Sequence, residues 1–146
     1  MEHILDSIRL YKKKFNGENN RTNFPEHEGA IFGIIKARGT KNIGLSYHTR
    51  KYPDVYEKLK QLDVPITYTS IQINKNLVCP KHTDKHNVGL SYIISFGDYT
   101  GGELVIDDIP HDTRTGLIFD GSKPHWNTPL IGKKYSVTFF TTSCVV

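Results

Sequence analysis

"NVGLSYIISFGDYTGGELVI", residues 87 to 106, decides the fold. It holds two short runs rich in β-branched and aromatic residues, with the turn-formers GDYTGG between them and no room for a helix. "ITYTSIQIN" (66–74), "TGLIFD" (115–120) and "YSVTFFTT" (135–142) have the same character, and "DGSKP" and "PLIGKK" punctuate them as turns. Closely spaced strands without intervening helices predict an antiparallel sandwich or barrel rather than a parallel sheet. "DYTGGEL" lacks a phosphate-loop pattern and a following helix, so it reads as a tight inter-strand turn.

Before Pro65 the pattern is mixed. Ile4, Leu5, Ile8, Tyr11 and Phe15 recur at helical spacing, which predicts an amphipathic helix over residues 2–15. Residues 16–29 have the composition of a loop, and "AIFGIIKAR" (30–38) that of a buried strand. "YPDVYEKLKQLD" (52–63) predicts a second helix, with Pro53 in its first turn and Val55, Leu59 and Leu62 on one face. Neither a repeat nor a linker divides the chain. One domain over 1–146 is expected, with a helical and mixed support over 1–65 and a β core over 66–142.

The 146 residues are enough for one core. No apolar run is long enough to span a bilayer, and the N-terminus lacks the uninterrupted apolar stretch of a secretory signal. An intracellular protein, cytoplasmic or nuclear, is expected, with Cys79 and Cys144 as free thiols. The net charge of +4 is modest, and a solvated face explains it more simply than an anionic partner.

"CPKHTDKHNVG" (79–89) carries the first chemical signal. In extended backbone, residues i and i+2 share a side, so His82 and Asp84 can aim at one point. An imidazole and a carboxylate suit a divalent first-row metal, and a second His completes the facial triad of non-haem iron oxygenases. His48, His86, His111 and His125 are candidates for that third ligand. His125 stands out because "HWNTPLIGKKYSVTFF" leads from it into a strand that opens on Lys134-x-Ser136. A cation and a hydroxyl on one strand face could hold the distal carboxylate of a small diacid. Lys133 would take that part if the register were shifted by one residue. His86 and His111 read as surface residues, and alternation points Trp126 away from the metal.

The ordered set His82-Thr83-Asp84, His125 and Lys134-Tyr135-Ser136 resembles the motif of the Fe(II)/2-oxoglutarate-dependent dioxygenases, over about half the chain, residues 66 to 142. The text over 87–106 together with "FDGSKPHWNTP" (119–129) is similar to the branch containing the TET and JBP nucleic-acid oxygenases and their small relatives. The resemblance implies a mainly β fold, a double-stranded β-helix (jelly roll) with one or two flanking N-terminal helices. It implies Fe(II) on His82, Asp84 and His125, and 2-oxoglutarate and O2 as co-substrates, with Lys134 and Ser136 at the far carboxylate. Asn74 matches a polar position that helps hold the co-substrate in relatives, and Tyr92 is either a co-substrate contact or a core residue. The branch points to a nucleobase in DNA or RNA, with the lysines of 12–14 and 36–41 as backbone contacts. Lysine rather than arginine at 134 is the prolyl-hydroxylase habit, which keeps a protein substrate open. A non-enzymatic metal-binding barrel has no need of a carboxylate clamp.

Overall fold

A computed structural model describes residues 1–13, 27–36 and 42–143. In chain order these form α1 (Glu2–Leu5), β1 (Tyr11–Lys13), β2 (His27–Lys36), β3 (Ile43–Leu45), α2 (Tyr47–Lys51), α3 (Pro53–Lys60), β4 (Ser70–Lys75), β5 (Ser91–Gly101), β6 (Leu104–Ile106), β7 (Ile109–His111), β8 (Leu117–Phe119), β9 (His125–Asn127) and β10 (Leu130–Phe140). The larger sheet runs β1-β2-β4-β10-β5-β8, with β3 also on β2, and a smaller sheet runs β7-β6-β9. Every pairing is antiparallel.

Strand alternation sorts the larger sheet into two faces. Phe32, Ile71, Ile73, Tyr92, Tyr135, Val137 and Phe139 form one apolar layer, which Leu5, Ile8, Val55 and Leu59 cover. These residues are almost entirely buried, each large side chain contributing about 1.5–3 kcal/mol relative to exposure. The alternate residues of the same strands, Gln72, Asn74, Ser136 and Thr138 among them, do not meet solvent. They line a cavity that Leu104, His125 and Asn127 of the smaller sheet close from the other side. Polar positions on these strands therefore mark the interior between the sheets.

Three expectations change. The predicted helix over 2–15 ends at Leu5, because Tyr11, Lys12 and Lys13 pair with Gly29, Glu28 and His27 on the open edge of β2. Ile8 still packs into the apolar layer. The expected turns at 97–102 and 129–134 are strand: β5 and β10 pair without interruption from Tyr92↔Phe139 to Gly101↔Leu130. The glycines that suggested turns allow this close ribbon. Gly97 and Gly132 have φ of 129° and 108°, and a Cβ on either would strike the facing carbonyl of Lys133 or Asp98. Residues 79–90, expected to be extended, contain no strand and touch the sheets through single bridges, His82↔His125 and Asn87↔Thr142. The second helix is present as α3, preceded by the short α2. The loop expected at 16–25, part of the basic stretch 36–41 and Cys144 lie outside the described residues.

Candidate metal and co-substrate site

The side chains of His82, Asp84 and His125 converge, with one ligand atom of each lying within 4.8 Å of the others. Backbone pairing brings them together. His82 and His125 exchange hydrogen bonds, N–H to O at 3.0 and 2.9 Å, and the Asp84 amide donates to Gly121 O at 2.8 Å. Cys79 anchors the segment further: its amide donates to Asn127 Oδ1 and its carbonyl accepts from the Asn127 amide. Gly121 must lack a side chain, since a Cβ there would lie 2.8 Å from Asp84 Oδ2.

The imidazoles are turned for ligation. His82 Nδ1 lies 2.8 Å from Pro80 O, and His125 Nδ1 lies 2.8 Å from Lys123 O. A carbonyl can only accept, so each Nδ1 carries the proton and each Nε2 offers its lone pair. The two Nε2 atoms stand 3.5 and 3.4 Å from separate oxygens of Asp84. Donors bound at about 2.0–2.2 Å to one ion leave gaps of this size between them. Burial pushes the Asp84 carboxyl upward, but its hydrogen bonds to His125 and His82 outweigh that and hold it below the usual carboxylate range. Burial also works against charge on His125, which Asp84 overcomes, raising its pKa.

Lys134 is the buried cation of β10, 1% exposed. It shares a strand face with Ser136, which pairs across the sheet with Asn74 on one side and Ser95 on the other. Its Nζ donates to Gly102 O and lies 5.4 Å from the Tyr99 ring centre. Burial, reinforced by Arg114 and opposed by Asp112, brings the ammonium down to about 8. Tyr99 is 5% exposed and its hydroxyl has no hydrogen-bond partner. A buried ammonium held by a carbonyl, beside an orphaned phenol, forms a cradle for an anion.

The cavity between metal cluster and Lys134 strand holds about 320 Å³, at the small end for ligand sites. Ile93, Leu104 and Phe119 line it on the apolar side, and His27, Gln72, Asn74, Asn87, Asn127, Ser136 and Thr138 on the polar side. Cys79 also lines it, and burial pushes that thiol up to about 12, so it is a neutral wall group rather than a nucleophile.

The chain shares its fold with NgTET1 and with a 2OG-Fe(II) oxygenase. It superposes on the structure of NgTET1 in complex with 5mC DNA at TM-score 0.60 and 15% identity, over 80% of this chain and 61% of that one. It superposes on an oxidoreductase of the 2OG-Fe(II) oxygenase family from Burkholderia pseudomallei at TM-score 0.58 and 12% identity, over 95% of this chain and 75% of that one. The chain thus spans 61% of the NgTET1 structure's length. No family model matches the chain. No curated protein matches it by sequence either.

Not every expected residue reaches the site. Tyr92 lies in the apolar layer near Phe139, on the sheet face away from the cavity, and its hydroxyl sits where a Cβ on Gly116 would be. Lys133 points the opposite way from Lys134 and meets Asp6 at 2.6 Å and Glu2 at 3.8 Å, which fixes the register. His48 is buried among Tyr11, Phe32, Tyr47 and Tyr52, with Nε2 on Arg9 O. His86 is exposed and His111 half-buried on β7. Sequence reading missed His27, Gln72, Asn127, Thr138 and Tyr99. Period-two spacing from Asn74, His125 and Ser136 would have found three of them. His27 carries no motif.

Proposed function

We propose that this chain is an Fe(II)- and 2-oxoglutarate-dependent dioxygenase, a single domain over residues 1–146 whose two sheets are the halves of a double-stranded β-helix over 66–142. The observation that carries this reading is the pairing of one His-Asp-His cluster with one buried, anion-seeking lysine across one cavity. The donor set fits ferrous iron, two imidazole nitrogens and a carboxylate on one side of the ion with its other positions open. When bound, iron and 2-oxoglutarate supply oxygen activation: the keto acid and O2 give succinate and CO2, and the second oxygen atom goes to the substrate C–H.

The protein's own contribution is positional. Pro80 O and Lys123 O hold the His82 and His125 Nδ1 protons, which keeps both Nε2 atoms as donors. Asp84 stays anionic throughout the working range. Lys134 pairs with the distal carboxylate of 2-oxoglutarate, and Ser136, Asn74 and the Tyr99 hydroxyl offer the remaining hydrogen bonds. Ile93, Leu104 and Phe119 keep water from that face.

For the substrate, we propose a nucleobase in DNA or RNA. Apart from Asp84, no acidic, lysine or arginine side chain is among the described cavity-lining residues, and amides and hydroxyls dominate the polar wall. Such a wall suits a neutral, hydrogen-bonding heterocycle better than a charged side chain. The fold shared with a structure solved on 5mC DNA supports the same class. A base in a duplex would have to leave the stack to enter a buried cavity. The test is mass spectrometry of nucleosides from methylated and unmethylated oligonucleotides after incubation with Fe(II), ascorbate and 2-oxoglutarate, beside a peptide library. Oxidised nucleosides support the proposal. Oxidised peptide with untouched nucleosides transfers the enzyme to the protein hydroxylases, the reading that lysine at 134 favours.

A further inference from the structure

A second surface lies on the far side of the larger sheet from the cavity. His48 packs at 5.7 Å on Phe32, which belongs to the apolar face of β2, whereas His27 of the same strand lines the cavity. Around His48 the chain exposes aromatic and cationic groups together. Tyr11 is 40% exposed and Tyr47 50%. Their rings meet edge-on at 6.4 Å, and the Arg9 guanidinium lies 5.5 Å over the Tyr11 ring. On α2, Arg50 and Lys51 stand three and four residues after Tyr47, on the same helical side, and both are exposed. The platform is rigidly mounted: Ser46 caps α2 by accepting from the Thr49 amide and donates to Ile31 O, and the Arg9 backbone is fixed to His48 and Tyr52. Residues 9–13 and 42–51 contain no acid.

We propose that Arg9, Tyr11, Tyr47, Arg50 and Lys51 form an accessory site for a single-stranded segment of nucleic acid. Exposed rings give sequence-tolerant stacking, and interleaved cations without acids follow the phosphates. The charge is what selects this partner over an apolar peptide. The site rests on the proposed nucleic-acid substrate for its purpose: set apart from the cavity, it tethers a strand whose target base is presented elsewhere.

The experiment is fluorescence anisotropy of the full chain with labelled 15-mer oligo-dT and oligo-U across a salt series, without iron or 2-oxoglutarate. Wild type should bind both, more weakly as salt rises. Tyr47→Ala should lower affinity about tenfold or more with an unchanged melting temperature, since the ring is half exposed. Replacing Arg50 and Lys51 with Gln should reduce the slope of log affinity against log salt by about 1.4, at roughly 0.7 for each phosphate released. Absence of binding at low salt overturns the site. So does binding that neither variant changes, or a self-association that Tyr47→Ala dissolves without any oligonucleotide bound. Oligonucleotide bound here and never oxidised would sustain this surface and defeat the substrate reading instead.

Discussion

His82 and His125, 43 positions apart in sequence, exchange backbone hydrogen bonds at 3.0 and 2.9 Å, so one bridge between two segments sets the spacing of both imidazoles. Asp84 then reaches the same point from a loop, because Gly121 leaves it room. The cluster owes its shape to backbone as much as to side chains.

His82→Ala or His125→Ala should therefore remove stoichiometric iron binding and all turnover, measured by calorimetric titration and succinate release. Gly121→Ala is the sharper test. Its methyl group displaces the Asp84 carboxylate while leaving every ligand in the chain, and iron affinity should fall about 10–100-fold with the circular dichroism spectrum retained.

Lys134→Met should have two opposite effects. The substitution replaces a buried ammonium with an apolar chain of similar length, so the protein without ligands should become more stable, by about 1–4 kcal/mol in urea unfolding. The same variant should lose succinate production. A stabilised, inactive protein identifies a residue kept for a ligand rather than for the fold.

The pH dependence follows from the same group. Lys134 has a pKa of about 8 in the folded chain, against 10.5 for an ordinary lysine. The unfolded chain thus binds the additional proton between these limits, and stability should rise with pH across that window. Below pH 8 the cost of burying the charge is fully present. Arg114 stays charged and the Cys79 thiol stays neutral over this range, so neither obscures the effect. Affinity for 2-oxoglutarate should fall as pH passes 8, since the neutral amine cannot pair with a carboxylate. Lys134→Met should abolish the rise in stability.

Two residues serve as controls. Lys133→Ala breaks the ion pairs with Asp6 and Glu2 and should lower the melting temperature slightly, with the KM for 2-oxoglutarate unchanged. Tyr92→Phe should also leave that KM unchanged, because the ring belongs to the apolar layer.

The metal cluster was legible in the sequence because its signal is discrete. His-x-Asp, a later His and Lys-x-Ser are few residues in a fixed order, and the structure brings His82, Asp84 and His125 together. Antiparallel strands were legible from their composition and spacing. The extent of β5 and β10 was not, because a glycine in a turn and a glycine in a tightly apposed ribbon look the same along the chain. The N-terminal helix was overdrawn for a related reason: Tyr11 fits a helical period, and only the open edge of β2 assigns it to a strand. Gln72 and Thr138 read as solvent-facing positions of half-buried strands, whereas a second sheet covers them. Tertiary partners decided each of these cases, and local pattern cannot encode a partner.

One cavity joining an iron site to a carboxylate clamp is the central claim. Anaerobic calorimetry, with Fe(II) titrated first and 2-oxoglutarate second, tests it on wild type, His125→Ala and Lys134→Met. One iron per chain is expected in wild type and Lys134→Met, and none in His125→Ala. 2-Oxoglutarate should bind the iron-loaded wild type and be weakened at least about a hundredfold in Lys134→Met, on the scale of removing the partner of a buried charge. Equal 2-oxoglutarate affinity in wild type and Lys134→Met, or full iron binding by His125→Ala, would contradict it.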